Sequence, residues 1–135
     1  MASPLLAWLI TGTSSASRIV DERRVRGYLP GYSCRAVLGA DFPAVIKCDE
    51  DSTVEGFIFH PRNGDDARRI DVFEGDLYRK ENVTVLTSSG ITVDAYVYVW
   101  NGDADSLADT DWSFEEFERT RLEDWLDLME GMEII

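Results

Sequence analysis

The stretch NVTVLTSSGITVDAYVYVW, residues 82–100, constrains the fold of this chain more than any other. Two runs rich in β-branched and aromatic residues meet around Ser88-Ser89-Gly90. Such side chains are stiff at χ1 and pack well on a pleated surface, while glycine accepts the positive φ of a tight reversal. The pattern predicts an antiparallel hairpin, and therefore a core built on a sheet. Further strand-like runs are TVEGFIFH, which stops at Pro61, then SCRAVL, and the stretch from Phe42 to Ile46. Pro30 and Gly31 supply a turn between Tyr28 and Tyr32. The apolar run LLAWLIT reads as a short buried first strand that ends where Gly12-Thr13 breaks it.

Helical signals punctuate these strands. SSASRIVDERR, residues 14–24, carries serine caps and a short helical pattern, and residues 64–72 suit a helix with Asp65 or Asp66 at its positive end. Ser113 and Glu116 form an S-x-x-E capping box. It opens a helix bearing Phe114, Phe117, Leu122, Trp125, Leu126 and Met129, with Gly131 placed to end it. With 135 residues, no repeats and no linker, residues 1–135 read as a single domain. The class is α+β: a mixed, mostly antiparallel β-barrel with flanking helices and a C-terminal helix.

The net charge of −13 argues against nucleic acid, whose phosphates need lysine and arginine. The charge is uneven. Residues 103–135 hold twelve acids and two arginines, and residues 1–102 hold fourteen acids and eleven basic residues, so the acidity belongs to the C-terminal segment. A solvated helix face accounts for it. No run reaches the ~18–20 apolar residues of a membrane span, and the N-terminal stretch lacks a basic region and a long enough apolar one for a signal peptide. The expected location is the cytoplasm. Cys34 and Cys48 are too few for a disulfide framework or a zinc site and read as buried free thiols.

One histidine, His60, stands between Phe59 and Pro61, so a serine or cysteine triad finds no partner and a carboxylate has to carry any chemistry. There is no P-loop, G-x-G-x-x-G or C-x-x-C. Glu74 is the candidate, because Val72, Phe73, Leu77 and Tyr78 surround it in sequence. Burial among such neighbours raises a carboxyl pKa toward the range of a general base. The residues alone fit either a base or a surface turn at the mouth of a strand. Tyr98 and Trp100 fit a pocket wall or a core face, and Arg68 and Arg69 fit an anion lure or a solvated helix.

The ordered set of motifs resembles the γ-glutamylcyclotransferase-like family, which includes the plant avirulence-induced proteins and their fungal relatives. Ile70-Asp71-Val72-Phe73-Glu74-Gly75-Asp76-Leu77-Tyr78, followed by Val83 and Val85, is similar to the family's L-D-x-(F/Y)-E-G signature. Asp41-Phe42-Pro43-Ala44-Val45, Val54-Glu55-Gly56, Tyr96-Val97-Tyr98-Val99-Trp100 and the W-x-F-E-E-F segment at Trp112 to Phe117 follow in the family's order. The resemblance implies that Glu74 is a general base acting on the α-amine of a γ-glutamyl compound, releasing 5-oxoproline and an amine. It implies a small-molecule substrate and no cofactor, nucleic acid, membrane or metal. The family's Y-G-T-L loop, whose backbone N–H groups hold the substrate carboxylate, corresponds to Thr11, Gly12, Thr13 and Ser14, and Tyr98 joins the substrate site. Lys80 stands where the family has an arginine, and a lysine cannot make the arginine fork.

Two other readings accompany this one. The same pocket, with its altered Thr11–Ser14 loop, suits base-catalysed proton transfer, elimination or cyclisation of a biosynthetic intermediate. Alternatively the acidic C-terminal helix, with Trp112, Trp125 and the tail from Met129 to Ile135, suits a non-catalytic binding module.

Overall fold

The computed structural model describes residues 1–130. Strands β1 (Arg24–Pro30), β2 (Tyr32–Val37), β3 (Pro43–Lys47), β4 (Thr53–Phe59), β5 (Tyr78–Thr87), β6 (Thr92–Trp100) and β7 (Leu107–Asp111) follow one another in the chain. Helices α1 (Ser3–Thr11) and α2 (Ser17–Asp21) precede them, α3 (Gly64–Glu74) interrupts them, and α4 (Phe114–Thr120) and α5 (Leu122–Glu130) close the described chain. Two compact units result: Met1–Arg24 with Phe59–Phe73 and the segment from Phe114, and Val25–Ile58 with Glu74–Ser113.

The second unit holds the sheets, a four-stranded one in the order β4-β1-β5-β6 and a three-stranded one in the order β3-β2-β7. The predicted hairpin is β5–β6, paired antiparallel from Leu86↔Thr92 beside the turn to Tyr78↔Trp100 at the far end. Gly90 sits at φ 85°, as the reversal requires. One face of the hairpin carries Val83, Val85, Val97 and Val99, of which Val85 and Val99 are buried. Gly27 of β1, paired with Thr87 of β5 in the same sheet, lies beside Val85 on this face. A Cβ there would come within 2.8 Å of Val85 Cγ1 and 3.2 Å of Ile58 Cδ1. Gly27→Ala is therefore expected to cost about 1–3 kcal/mol through overpacking. Urea denaturation checks it, and parent-like stability would show that the strands can part at no cost.

In the first unit α1 is apolar all round, with Leu5, Leu6, Ala7, Trp8, Leu9 and Ile10 buried. It packs on α2 and α5, and Ser3 Oγ donates to Asp21 Oδ1 at 2.5 Å. Here the first-strand expectation is corrected: LLAWLIT is helical. Its leucines and alanine are good helix formers, Pro4 occupies the first turn where its missing N–H costs nothing, and Gly12 at φ 85° closes the C-terminus by donating to Trp8 O at 2.7 Å. A short apolar run does not distinguish strand from helix by periodicity, so caps and composition decide.

Two boundaries also move. The helical pattern expected over residues 14–24 stops at Asp21, and Arg24–Pro30 is strand. The long closing helix is two helices separated at Arg121. Thr120 Oγ1 donates to Glu116 O at 2.7 Å, a back-bond that competes with the backbone ladder and bends helices. Gly131 and the end of the tail lie outside the described residues.

Asp66, on the first turn of α3, is 2% exposed. It accepts from Arg62 N at 3.2 Å, Nε at 2.8 Å and Nη2 at 3.0 Å, while Asn63 Oδ1 caps its own N–H at 2.9 Å. Arg62 Nη2 also reaches Ile10 O at 3.4 Å, placing a cation where the last carbonyls of α1 lack helical partners. This clamp joins the end of α1 to the start of α3.

Candidate active site

Glu74 is the last residue of α3, so the acid expected at the mouth of a strand stands at a helix C-terminus instead. Gly75 follows at φ 63°, the left-handed cap that lets the chain leave the helix. One 3-10 turn, Gly75–Leu77, leads into Tyr78 and β5. Asn101 pins that turn: its N–H donates to Leu77 O at 2.7 Å and its Nδ2 to Asp76 O at 3.2 Å. The turn that follows Glu74 is therefore held by Asn101 at Asp76 and Leu77.

Glu74 is half-buried. Burial raises its carboxyl above the ordinary value, and the negative end of a helix dipole acts in the same direction. Four residues on, Tyr78 belongs to the core cluster of Val37, Ala44 and Trp100. Its hydroxyl donates to Pro43 O at 2.6 Å, and its ring meets Trp100 edge-on with centroids 5.7 Å apart. Burial raises the phenol first, the neighbouring charge of Glu74 raises it further, and Cys34 adds to this only where it ionises. Cys34, on β2, is pushed up to about 11 by burial, with Asp111 adding to the effect. The thiol and the phenol stay protonated at neutral pH, which leaves Glu74 to titrate.

Trp100 is anchored by its indole N–H to Asp103 O at 3.1 Å. Tyr98 is half-buried on β6 opposite Lys80, on the face that carries Tyr78 and Trp100. Lys80 sets its ammonium 4.6 Å from the centroid of the Tyr96 ring. Sequence reasoning passed over Tyr78 as a member of the site; the repeated period-two spacing of Tyr78, Tyr96, Tyr98 and Trp100 on paired strands was the available signal.

Thr11, Gly12, Thr13 and Ser14 lie in the other unit, at the end of α1 rather than of a strand. The amide of Gly12 is spent on Trp8 O, and that of Thr13 donates to Thr11 Oγ1 at 3.3 Å. Thr13 Oγ1 accepts from Ser15 N at 3.3 Å and caps a 3-10 turn. Thr11 Oγ1 reaches Ala7 O at 2.6 Å. The loop thus turns several of the donors expected to cradle a carboxylate back onto itself. Arg68 pairs with Asp65 at 3.1 Å across an exposed turn of α3. Trp112 donates its indole N–H to Asp41 O at 2.8 Å, and Trp125 packs edge-on against Phe117, so both aromatics of the docking reading have partners within their own units. Cys34 and Cys48 are free thiols, half-buried rather than buried. Among the described residues no group of three or more His, Cys, Asp or Glu side chains could hold a metal ion, and no helix is long and apolar enough to cross a membrane.

Comparison with known proteins agrees with this architecture. The family model described as "Gamma-glutamyl cyclotransferase, AIG2-like" matches residues 9–114, a span that includes both the Thr11–Ser14 loop and Glu74. The chain belongs to that family. It is 31% identical over 100 residues to AIG2-like protein D of Arabidopsis thaliana, a match covering 73% of this chain and 65% of that protein. The chain therefore spans somewhat less than two thirds of this curated relative. Two solution structures of Arabidopsis thaliana proteins share the fold. One has a TM-score of 0.65 at 23% identity, covering 98% of this chain and 77% of that one. The other has a TM-score of 0.58 at 21% identity, covering 84% and 78%. The α+β class with an antiparallel half-barrel sheet is thus the one expected, and the relatives found here are plant proteins.

Proposed function

We propose that the chain is a γ-glutamylcyclotransferase-like enzyme in which Glu74 is the general base. Glu74 takes a proton from the α-ammonium of a γ-glutamyl compound, and the freed nitrogen attacks the side-chain carbonyl carbon. The new C–N bond closes a five-membered lactam and the bond to the leaving amine breaks; that amine takes the proton back from Glu74, and the ring nitrogen's second surplus proton follows through the same carboxylate, so the amine departs as an ammonium. The products are 5-oxoproline and a free amine. Nucleophile and electrophile share one molecule, so a near-attack shape can supply roughly 7–11 kcal/mol of the barrier. The base need only pass protons from the attacking nitrogen to the leaving one, for which a half-buried carboxylate of raised pKa is suited.

The observation that carries this reading is the placement of Glu74: half-buried, at a helix C-terminus, within the span matched by the family model. The substrate is a small molecule, the reaction takes place in one domain without a cofactor, and the location is the cytoplasm. For the amides of Gly12 or Thr13 to hold a substrate carboxylate, they must first release Trp8 O or Thr11 Oγ1. That cost favours a second reading, in which Glu74 serves proton transfer, elimination or cyclisation on an intermediate lacking an amino-acid head. 5-Oxoproline release from a panel of γ-glutamyl amines, γ-glutamyl peptides and glutathione separates the two. Release establishes the cyclotransferase and its leaving group, and silence across the panel sinks it for those substrates.

A further inference from the structure

The pair Asn101-Gly102 joins the end of β6 to the 3-10 turn Ala104–Ser106, and both residues are exposed. An asparagine followed by glycine is open to attack by its own chain. The glycine nitrogen can reach the side-chain carbonyl carbon, because no Cβ stands in the way and the backbone bends freely. Here packing demands the glycine. A Cβ on residue 102 would come within 2.5 Å of Trp100 Cζ2 and 2.8 Å of Cε2. Trp100 is itself held in place: it is buried, tied by its indole N–H to Asp103 O, and set edge-on against Tyr78. The asparagine is held more loosely. Its Nδ2 donates to Asp76 O at 3.2 Å across an exposed contact, and such a bond restrains a side chain by a factor of roughly 2–10.

The chain carries a second such pair, Asn63-Gly64, in a different setting. Asn63 Oδ1 accepts from Asp66 N at 2.9 Å, Asn63 O accepts from Ala67 N at 3.4 Å, and Gly64 is the first residue of α3. To react, Asn63 must give up a helix cap together with the first turn of the helix. We propose that Asn101 is a site of spontaneous deamidation, and that its conversion unlatches the turn that follows Glu74. The Gly102 nitrogen gives its proton to water and bonds to Asn101 Cγ. The Cγ–Nδ2 bond then breaks, and Nδ2 takes up a proton and leaves as ammonia. Water adds to the resulting cyclic imide. Cleavage at Cγ gives aspartate, whereas cleavage at the backbone carbonyl gives isoaspartate, whose main chain runs through Cβ and is longer by that atom. Either product loses the N–H that Asp76 O accepted and puts a carboxylate in residue 101. Isoaspartate also lengthens the stretch that lays Gly102 against the Trp100 ring and brings Asp103 O to its indole.

The test incubates the full chain in mildly alkaline water enriched in heavy oxygen, folded in buffer and unfolded in concentrated urea. Peptide mass spectrometry follows both pairs. In urea the two asparagines should react at similar rates. In the folded chain Asn101 should react at least about fivefold faster than Asn63, the usual worth of a helix cap. Its peptide should gain heavy oxygen and appear in both the aspartate and the isoaspartate form. A folded chain in which Asn63 reacts as fast as Asn101, or faster, overturns the site. The unlatching is read by NMR from the backbone N–H of residue 101, which is bonded to Leu77 O. Its exchange with solvent should rise roughly 2–10-fold in the separated isoaspartate form, the worth of one hydrogen bond. Asn101→Asp supplies the aspartate product without any incubation and should show a rise in the same range. Parent-like exchange in Asn101→Asp and in the isoaspartate form overturns the unlatching. Mass and exchange are both read without turnover, so neither result depends on the cyclotransferase reading.

Discussion

Glu74→Gln is expected to lower 5-oxoproline release by about 10²–10⁴-fold, the usual contribution of a positioned general base. Glutamine keeps the shape and a hydrogen-bonding end while losing the basic oxygen. The fold should survive, and the pH dependence of stability shows why. Burial raises the Glu74 pKa in the folded chain above its unfolded value. Its favourable contribution is therefore complete below the unfolded pKa and is lost as pH rises through the folded one. At neutral pH the ionised side chain opposes folding, and the glutamine variant should be at least as stable as the parent. The parent rate should rise with pH across the raised pKa, and the variant should lose that limb. Turnover and thermal melts on the same samples check both statements. Undiminished release from the variant would return Glu74 to the status of a turn residue.

Asp66→Ala is expected to produce the largest loss of stability, about 2–4 kcal/mol by urea denaturation at neutral pH. The substitution strands Arg62, whose backbone N–H and guanidinium all lean on the Asp66 carboxylate. Arg62 remains partly open to water, with its side chain 35% exposed, which keeps the cost below that of a fully buried orphan charge. Here the pH dependence has the opposite sign to that of Glu74. The hydrogen bonds and charge of Arg62 hold the Asp66 carboxyl below its ordinary value. Its contribution is present above the unfolded pKa and disappears as pH falls through the depressed folded one. Parent and variant should therefore converge in strongly acidic solution. A variant equally destabilised at every pH would mean that packing, not charge, holds the clamp.

The hairpin was legible because its signal is local. Alternating β-branched residues around Ser88-Ser89-Gly90 name both the strands and their turn, and β3, β4 and the start of α3 were visible in the same way. α1 was not legible from periodicity, since a run of apolar residues buried on every side has none. The decisive marks were Pro4 at its start and Gly12 at its end. β1 was hidden by the charges of Arg23, Arg24 and Arg26, which look helical or exposed until Arg26 is seen to pair with Glu55 and to lie over Phe57 on the neighbouring strand. Glu74 was found through its apolar neighbours and the family signature. Its seat at a helix end depended on how far α3 would run. Tyr78 depended on a contact with Pro43, 35 positions away, that no local pattern announces.

The β5–β6 hairpin also orders the assembly of the site in time. Pairing can begin at Leu86 and Thr92, where little chain has to be closed, and β-hairpins of this kind form in roughly microseconds. Zipping away from the turn reaches Tyr78 and Trp100 last, and only then can the phenol find Pro43 on a strand from another sheet. Amide labelling during refolding, with protection near Val85 appearing before protection at Tyr78, would record that order. The residues assigned to chemistry stand at the end of the hairpin that pairs last, where Val99 and Trp100 are buried and the pairing is completed by the core rather than by the turn.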